Sequence, residues 1–208
     1  MRFSRFALVA AVITGVGILV IQALPIMFPD QATPSQDAMQ AQMMKYSTPG
    51  KAHEFLKRFV GVWDVDITAT PPMPGAQPQK SKGTMKSQLV FDGRYLRSDF
   101  DGMMGASPSK GLQINGFNMF TNLYETFWID SWGTSFLVMT GKLDPTGNVL
   151  TSTGESPDPM TGGKTREKLK TEVAFLSDGK YRFELYMAGP GGDYVKTLEM
   201  VFTRRGMM

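Results

Sequence analysis

Residues Gly61-Val62-Trp63-Asp64-Val65-Asp66-Ile67-Thr68-Ala69-Thr70 decide the fold of this chain. Just before them, Phe55, Leu56, Phe59 and Val60 recur at helical spacing. From Trp63 onward the apolar period changes to two. Trp63, Val65, Ile67 and Ala69 fall on one face, and Asp64, Asp66, Thr68 and Thr70 on the other. That is the pattern of an antiparallel strand with one buried and one wet face. The helix before it is read as capped by Thr48 with Pro49 in its first turn, and as ended by Gly61.

Nine more alternating runs follow, near 82–91, 94–101, 110–118, 122–130, 135–143, 148–156, 164–176, 180–188 and 193–204. Turn signals separate many of them. Asp92-Gly93 and Asp178-Gly179 read as two-residue hairpin loops, and Gly189-Pro190-Gly191-Gly192 as a longer turn. Pro71 to Pro78 form a Pro-rich loop. No second helical block, fixed-period repeat or Gly-rich phosphate loop interrupts the series. About ten short strands in one domain, over 51–205, predict an all-β fold: a single antiparallel up-and-down barrel, or a closely related sandwich, behind a short helix. Closure removes the exposed edges that so many hairpins would otherwise leave.

The N-terminal part reads differently. Arg2 and Arg5 precede a stretch from Phe6 to Phe28 in which only Thr14 and Gln22 are polar. This is an export signal, either cleaved, with Ala23 as a possible last residue, or retained as a membrane anchor. With the arginines held inside, the domain lies beyond the cytoplasm, in the cell envelope or periplasm. Residues 29–50 read as a flexible linker, in which Gln36 to Lys45 offer at most a loose helix. The chain has no Cys, which excludes thiolate chemistry and an N-terminal lipidated Cys. Its formal charge of +3 falls to +1 once Arg2 and Arg5 are set aside (20 Lys plus Arg against 19 Asp plus Glu). Near-balance of this kind argues against a nucleic-acid partner.

Gly61-x-Trp63 on the first strand and Arg204 late in the last resemble the lipocalin-like calycin barrels. The resemblance implies that Trp63 plugs one end with Arg204 over its ring, a structural role. A closer resemblance covers nearly all of 53–205. It rests on His53-x-x-Leu56, Gly61-Val62-Trp63, Phe91-Asp92-Gly93-Arg94-Tyr95 and Gly116-Phe117-Asn118. It continues through Trp128-Ile129-Asp130-Ser131, Gly141 with Asp144, Asp158-Pro159-Met160-Thr161-Gly162 and Thr203-Arg204. These pieces, in this order and spacing, are similar to a bacterial family known as domain of unknown function fifteen seventy-nine. Asn118 departs from the Asp more common there. The resemblance implies a lipocalin-like barrel and no defined activity.

Candidate chemistry is sparse. His53 is the only histidine and has no nucleophile or further ligand beside it in sequence, so it reads as a capping or packing residue rather than part of a triad or metal site. A haem barrel needs an axial His on a wall strand, and the late strands carry none. No cofactor or metal is expected. Sixteen methionines, Met103-Met104 among them, lack a repeated copper-binding spacing and read as core filling. Glu125, Glu155, Glu167 and Glu184 supply carboxylates, but strands of unknown register define no acid–base pair. Asp158 to Gly163 read as a tight loop. Arg94 follows a turn, and either meets a ligand carboxylate or pairs with Asp99 or Asp101.

The most site-like cluster is Trp128-Ile129-Asp130-Ser131-Trp132. Tyr124, Thr126, Trp128 and Asp130 share one strand face, with Ser131 opening the turn. If that face lines a cavity, Trp128 offers a wall, Asp130 an acceptor, and Arg166 on a later strand a partner for Asp130. The competing reading is that Asp130-Ser131 caps a turn and Trp128 is core. The expected function is binding of a small, largely apolar ligand inside the barrel. The alternatives are an interaction module with a filled barrel, and a hydrolase or isomerase acting on an apolar metabolite.

Overall fold

A computed structural model of the chain describes residues 35–73, 75–189 and 191–206. The apolar segment 1–28 lies outside the described residues. Among those described, no helix is long and apolar enough to cross a membrane.

The strands are β1 (Gly61–Ala69), β2 (Gln79–Val90), β3 (Tyr95–Met104), β4 (Ser107–Asn118) and β5 (Leu123–Asp130). They continue as β6 (Leu137–Leu143), β7 (Val149–Pro157), β8 (Arg166–Ser177), β9 (Lys180–Ala188) and β10 (Tyr194–Arg204). Each pairs antiparallel with its neighbour in sequence, and β1 pairs with β10 through Trp63↔Arg204 to Ala69↔Leu198, which closes the barrel. The antiparallel barrel expected from the alternation is therefore the fold. Trp63, Val65 and Ile67 are buried on the inner face of β1, as their period of two requires.

Two helical pieces precede the barrel. The first, α1 (Gln36–Ser47), has Ser35 as N-cap, its hydroxyl accepting from the Ala38 N–H, and buries no residue. It falls where the sequence offered a loose helix, over Gln36 to Lys45, and runs two residues further. Thr48 is not an N-cap. It closes α1 at its C-terminus, donating from both N–H and hydroxyl to the Met44 carbonyl. The end of α1 rests on the barrel: the Tyr46 ring stacks on Phe120 at 4.1 Å, and Arg94 Nε donates to the Ser47 carbonyl at 2.9 Å. A 3-10 turn, Lys51–His53, then runs into α2 (Glu54–Lys57), which buries Phe55 and Leu56 in the barrel end.

Two further sequence readings change. The β2–β3 connection is a four-residue loop, since Val90 pairs with Tyr95. Phe91, Asp92 and Gly93 all adopt positive φ, so one glycine does not mark a two-residue turn here. Gly61 does not end the helix but opens β1 at φ +135°. A Cβ on it would lie 2.6 Å from Arg204 Nη1, so glycine is needed for conformation and for space.

Candidate functional site

The two barrel ends are built differently. At the end where β1 begins, Trp63 is fully buried and its Nε1 donates to the Phe59 carbonyl at 2.8 Å. The Arg204 guanidinium lies 4.1 Å from the Trp63 ring centroid. It donates to the Val60 carbonyl and, at 2.8 Å, to the Arg58 carbonyl. Gly61, Trp63 and Arg204 thus join the first strand, the last strand and the end of the helix in one cluster. Phe55, Phe59 and Tyr181 pack above it edge to face, and Tyr181 stacks on Phe202 at 4.2 Å. Burial pushes the Tyr181 hydroxyl well above its ordinary pKa, against a smaller opposing pull from Arg204. His53 is buried beside this floor. Its Nδ1 accepts from the Gly50 N–H at 3.0 Å and its ring meets Phe117 edge-on. It caps a turn, as expected, but from inside the packing.

Above the aromatic floor the barrel is hollow. A cavity of about 460 Å³ opens toward the end where β5 finishes and β6 begins. Its two walls differ. On β3, β4 and β5 the inward side chains include Ser98, Gln113, Asn115, Thr126 and Asp130; on β8, β9 and β10 they include Val173, Phe183, Leu185, Leu198 and Met200. Thr126 Oγ1 donates to Asn115 Oδ1 at 2.8 Å, so the polar wall is partly self-paired. Asp130 is the one charged side chain among the described residues that line the cavity.

The residues singled out from the sequence take up distinct positions. Tyr124, Trp128 and Asp130 line the cavity. Tyr124 sits low, where its hydroxyl donates to the Ala52 carbonyl at 2.8 Å and holds the helix in place; burial raises its pKa. Trp128 and Asp130 sit at the mouth. Trp128 Nε1 donates to Asp130 Oδ2 at 2.8 Å, and the Trp132 N–H to Asp130 Oδ1 at 2.9 Å. Asp130 therefore caps the turn and faces the cavity at once, and the two readings of it were not exclusive. The Trp128 ring packs onto Gly111, where a Cβ would meet ring carbons at 2.1 Å. Absence of a side chain at Gly111 seats the indole.

Ser131 is not a lining residue. It is exposed in the turn, where its hydroxyl accepts from the Lys110 N–H. Arg166 does not pair with Asp130. Thr171 and Val173 face inward on β8, so the strand period turns Arg166 outward, where its Nε donates to Glu155 at 3.2 Å. Arg94 pairs with Asp92 and not with Asp99 or Asp101, which Arg97 and Lys110 take. Asp158 accepts from the Met160 N–H in a tight turn, as its loop composition indicated. Among the described residues no group of His, Asp and Glu is placed to hold a metal.

Sequence reasoning missed Gln113 and Asn115. They alternate with Leu112 and Ile114, and the ordinary rule puts the aliphatic pair inside. The signal that reverses it is cross-strand: Gln113 pairs with Trp128 and Asn115 with Thr126, so these four share one face.

Solved structures share this architecture. An S-type phycobiliprotein lyase, CPES, from Guillardia theta superposes with a TM-score of 0.52 at 14% identity, covering 80% of this chain and 99% of that one. Rv2717c from M. tuberculosis superposes with a TM-score of 0.57 at 15% identity, covering 76% of this chain and all of that one (100%). At such identities the likeness is one of fold. No curated protein matches the chain. Residues 48–204, nearly the whole of the helix and barrel described above, match the family described as protein of unknown function DUF1579, and the chain belongs to that family.

Proposed function

We propose that this protein binds a small, largely apolar ligand within its barrel, as a component of the cell envelope. The observation that carries the reading is the cavity. At about 460 Å³ it falls within the range of small-molecule sites, roughly 300–1,000 Å³, and it is closed by an aromatic floor at one end and open at the other. Its side chains are mostly aliphatic and aromatic, with most of the polar groups on the β3–β5 wall and Ser152 and Thr171 across from them, which suits an apolar body with a polar edge. The mechanism is enclosure: the apolar wall takes the ligand out of water, while Gln113, Asn115 and Asp130 orient its polar part. A filled barrel acting only as an interaction module does not agree with this hollow. The apolar run from Phe6 to Phe28 after Arg2 and Arg5 supports delivery beyond the cytoplasm, by a cleaved signal or by an anchor.

Native mass spectrometry of the protein purified gently from its own host tests the binding reading. A stoichiometric adduct lost on Trp128→Ala substitution is the expected result. Repeated recovery of the bare chain, together with no uptake of apolar probes, overturns it. Fractionation of the host tests the location: the chain is expected with membranes or in the periplasm, and recovery with cytoplasmic enzymes overturns that part.

A further inference from the structure

The cavity holds one negative charge and no positive one. Asp130 is the single charged lining residue, and it stands at the mouth beside two tryptophans, taking one N–H from the Trp128 indole and one from the Trp132 backbone. Several cations carried on strands near this end are turned outward and tied to outer carboxylates. Lys82 pairs with Asp66, Lys110 with Asp101, Arg166 with Glu155, and Lys196 with Glu184 and Glu199. Glu167, by contrast, shares the inward side of β8 with Thr171 and Val173, nearer the mouth. A carboxylate head arriving here meets like charge and no counter-ion, in a place where desolvation makes both costly.

We infer that the ligand of this cavity is an amine: a protonated nitrogen on an aromatic or aliphatic body, its ammonium held by the Asp130 carboxylate between Trp128 and Trp132. Each part of the mouth has a function in that arrangement. One Asp130 oxygen receives the Trp128 indole N–H and the other the Trp132 backbone N–H, and each keeps acceptor capacity for a further donor. Trp128 packs one side on Gly111 and turns the other to the cavity, and Trp132 lies at the rim, 59% exposed. Two indoles flanking a carboxylate attract a cation through both charge and ring quadrupole. Beneath the head, the aliphatic wall of β8–β10 receives the body. The inference rests on the binding reading above and narrows it: anionic amphiphiles such as fatty acids are excluded and amines admitted.

The test is a titration of the full chain, by calorimetry, with probes that differ only in the head. Two bodies, naphthylmethyl and decyl, are each used as ammonium, alcohol and carboxylate. The ammonium is expected to bind about tenfold or more tighter than the alcohol, and the carboxylate more weakly than either. Asp130→Asn is expected to bring ammonium and alcohol within about twofold of each other. Carboxylate binding equal to that of the alcohol, or an ammonium preference that survives in Asp130→Asn, overturns the amine assignment and leaves the cavity reading standing. Failure of all six probes to bind overturns both. Comparison of heads within the wild-type chain decides the matter even where the variant folds poorly.

Discussion

The floor and the mouth of this barrel are both built around a tryptophan and a charged partner, yet they serve opposite ends. At the floor, Trp63 is fully buried, and Arg204 is consumed by its ring and by two backbone carbonyls. At the mouth, Trp128 is half-buried against an empty volume, and Asp130 keeps acceptor capacity after receiving two N–H groups. A cluster whose polar groups are all satisfied by the protein has only stability to offer. A cluster with spare capacity beside a hollow has recognition to offer, and gives up packing for it.

The sharpest way to break the comparison is to truncate both tryptophans. Trp63→Ala removes a buried indole from a packed end and is expected to cost about 3–5 kcal/mol. Trp128→Ala, whose side chain already borders a void, is expected to cost less than half as much and to abolish ligand uptake. Urea denaturation of the two variants checks this, and equal losses would erase the distinction. Next in size is Arg204→Met, which leaves the Val60 and Arg58 carbonyls without their donor. A loss of about 2–3 kcal/mol is expected in thermal melts, with ligand affinity unchanged. Asp130→Asn is expected to move stability by about 1 kcal/mol, because the amide oxygen can keep the Trp132 N–H while the bond from the Trp128 indole is lost beside solvent. Its effect should fall on binding instead.

The smallest expected effect sharpens the same contrast through pH. Asp144, in the β6–β7 turn at the floor end, accepts from Thr146 Oγ1 and from the Asn148 and Val149 N–H groups. These bonds hold its carboxyl at about 2, below the ordinary 3.8. A carboxyl lowered by folding stabilises the fold above its unfolded value, and that contribution fades as pH falls from near 4 through about 2. Melting midpoints taken across that window are expected to fall more in the wild type than in Asp144→Ala. Parallel curves would show that this turn contributes no acid sensitivity.

Much of this architecture was legible because a strand's period of two is a local property. The ten strands and the buried face of β1 lie in short stretches of sequence, whereas the pairing of Trp63 with Arg204 came from the resemblance to calycin barrels. What was not legible depends on which face of a strand looks inward. On β4 and β5, Leu112, Ile114, Phe127 and Ile129 are turned outward, while Gln113, Asn115, Thr126 and Asp130 line the hollow. A wall polar inside and apolar outside inverts the usual assignment, and only the register across strands resolves it. Arg166 failed for the same reason: its place near Asp130 required an inward direction that β8 does not give it. Thr48 misled because one hydroxyl serves the end of one helix as readily as the start of another.

Arg204 reaches the backbone of residues 58 and 60 from the far end of the chain, across 146 and 144 positions. That separation has a consequence for how the protein is made. Until β10 has emerged, β1 and β9 each present an unpaired edge and the arginine's two carbonyls wait without a donor. The final contacts are also the most distant in sequence, so the growing chain cannot seal itself piece by piece. Its vulnerability to aggregation and proteolysis is set by the interval between synthesis of its first strand and arrival of its last.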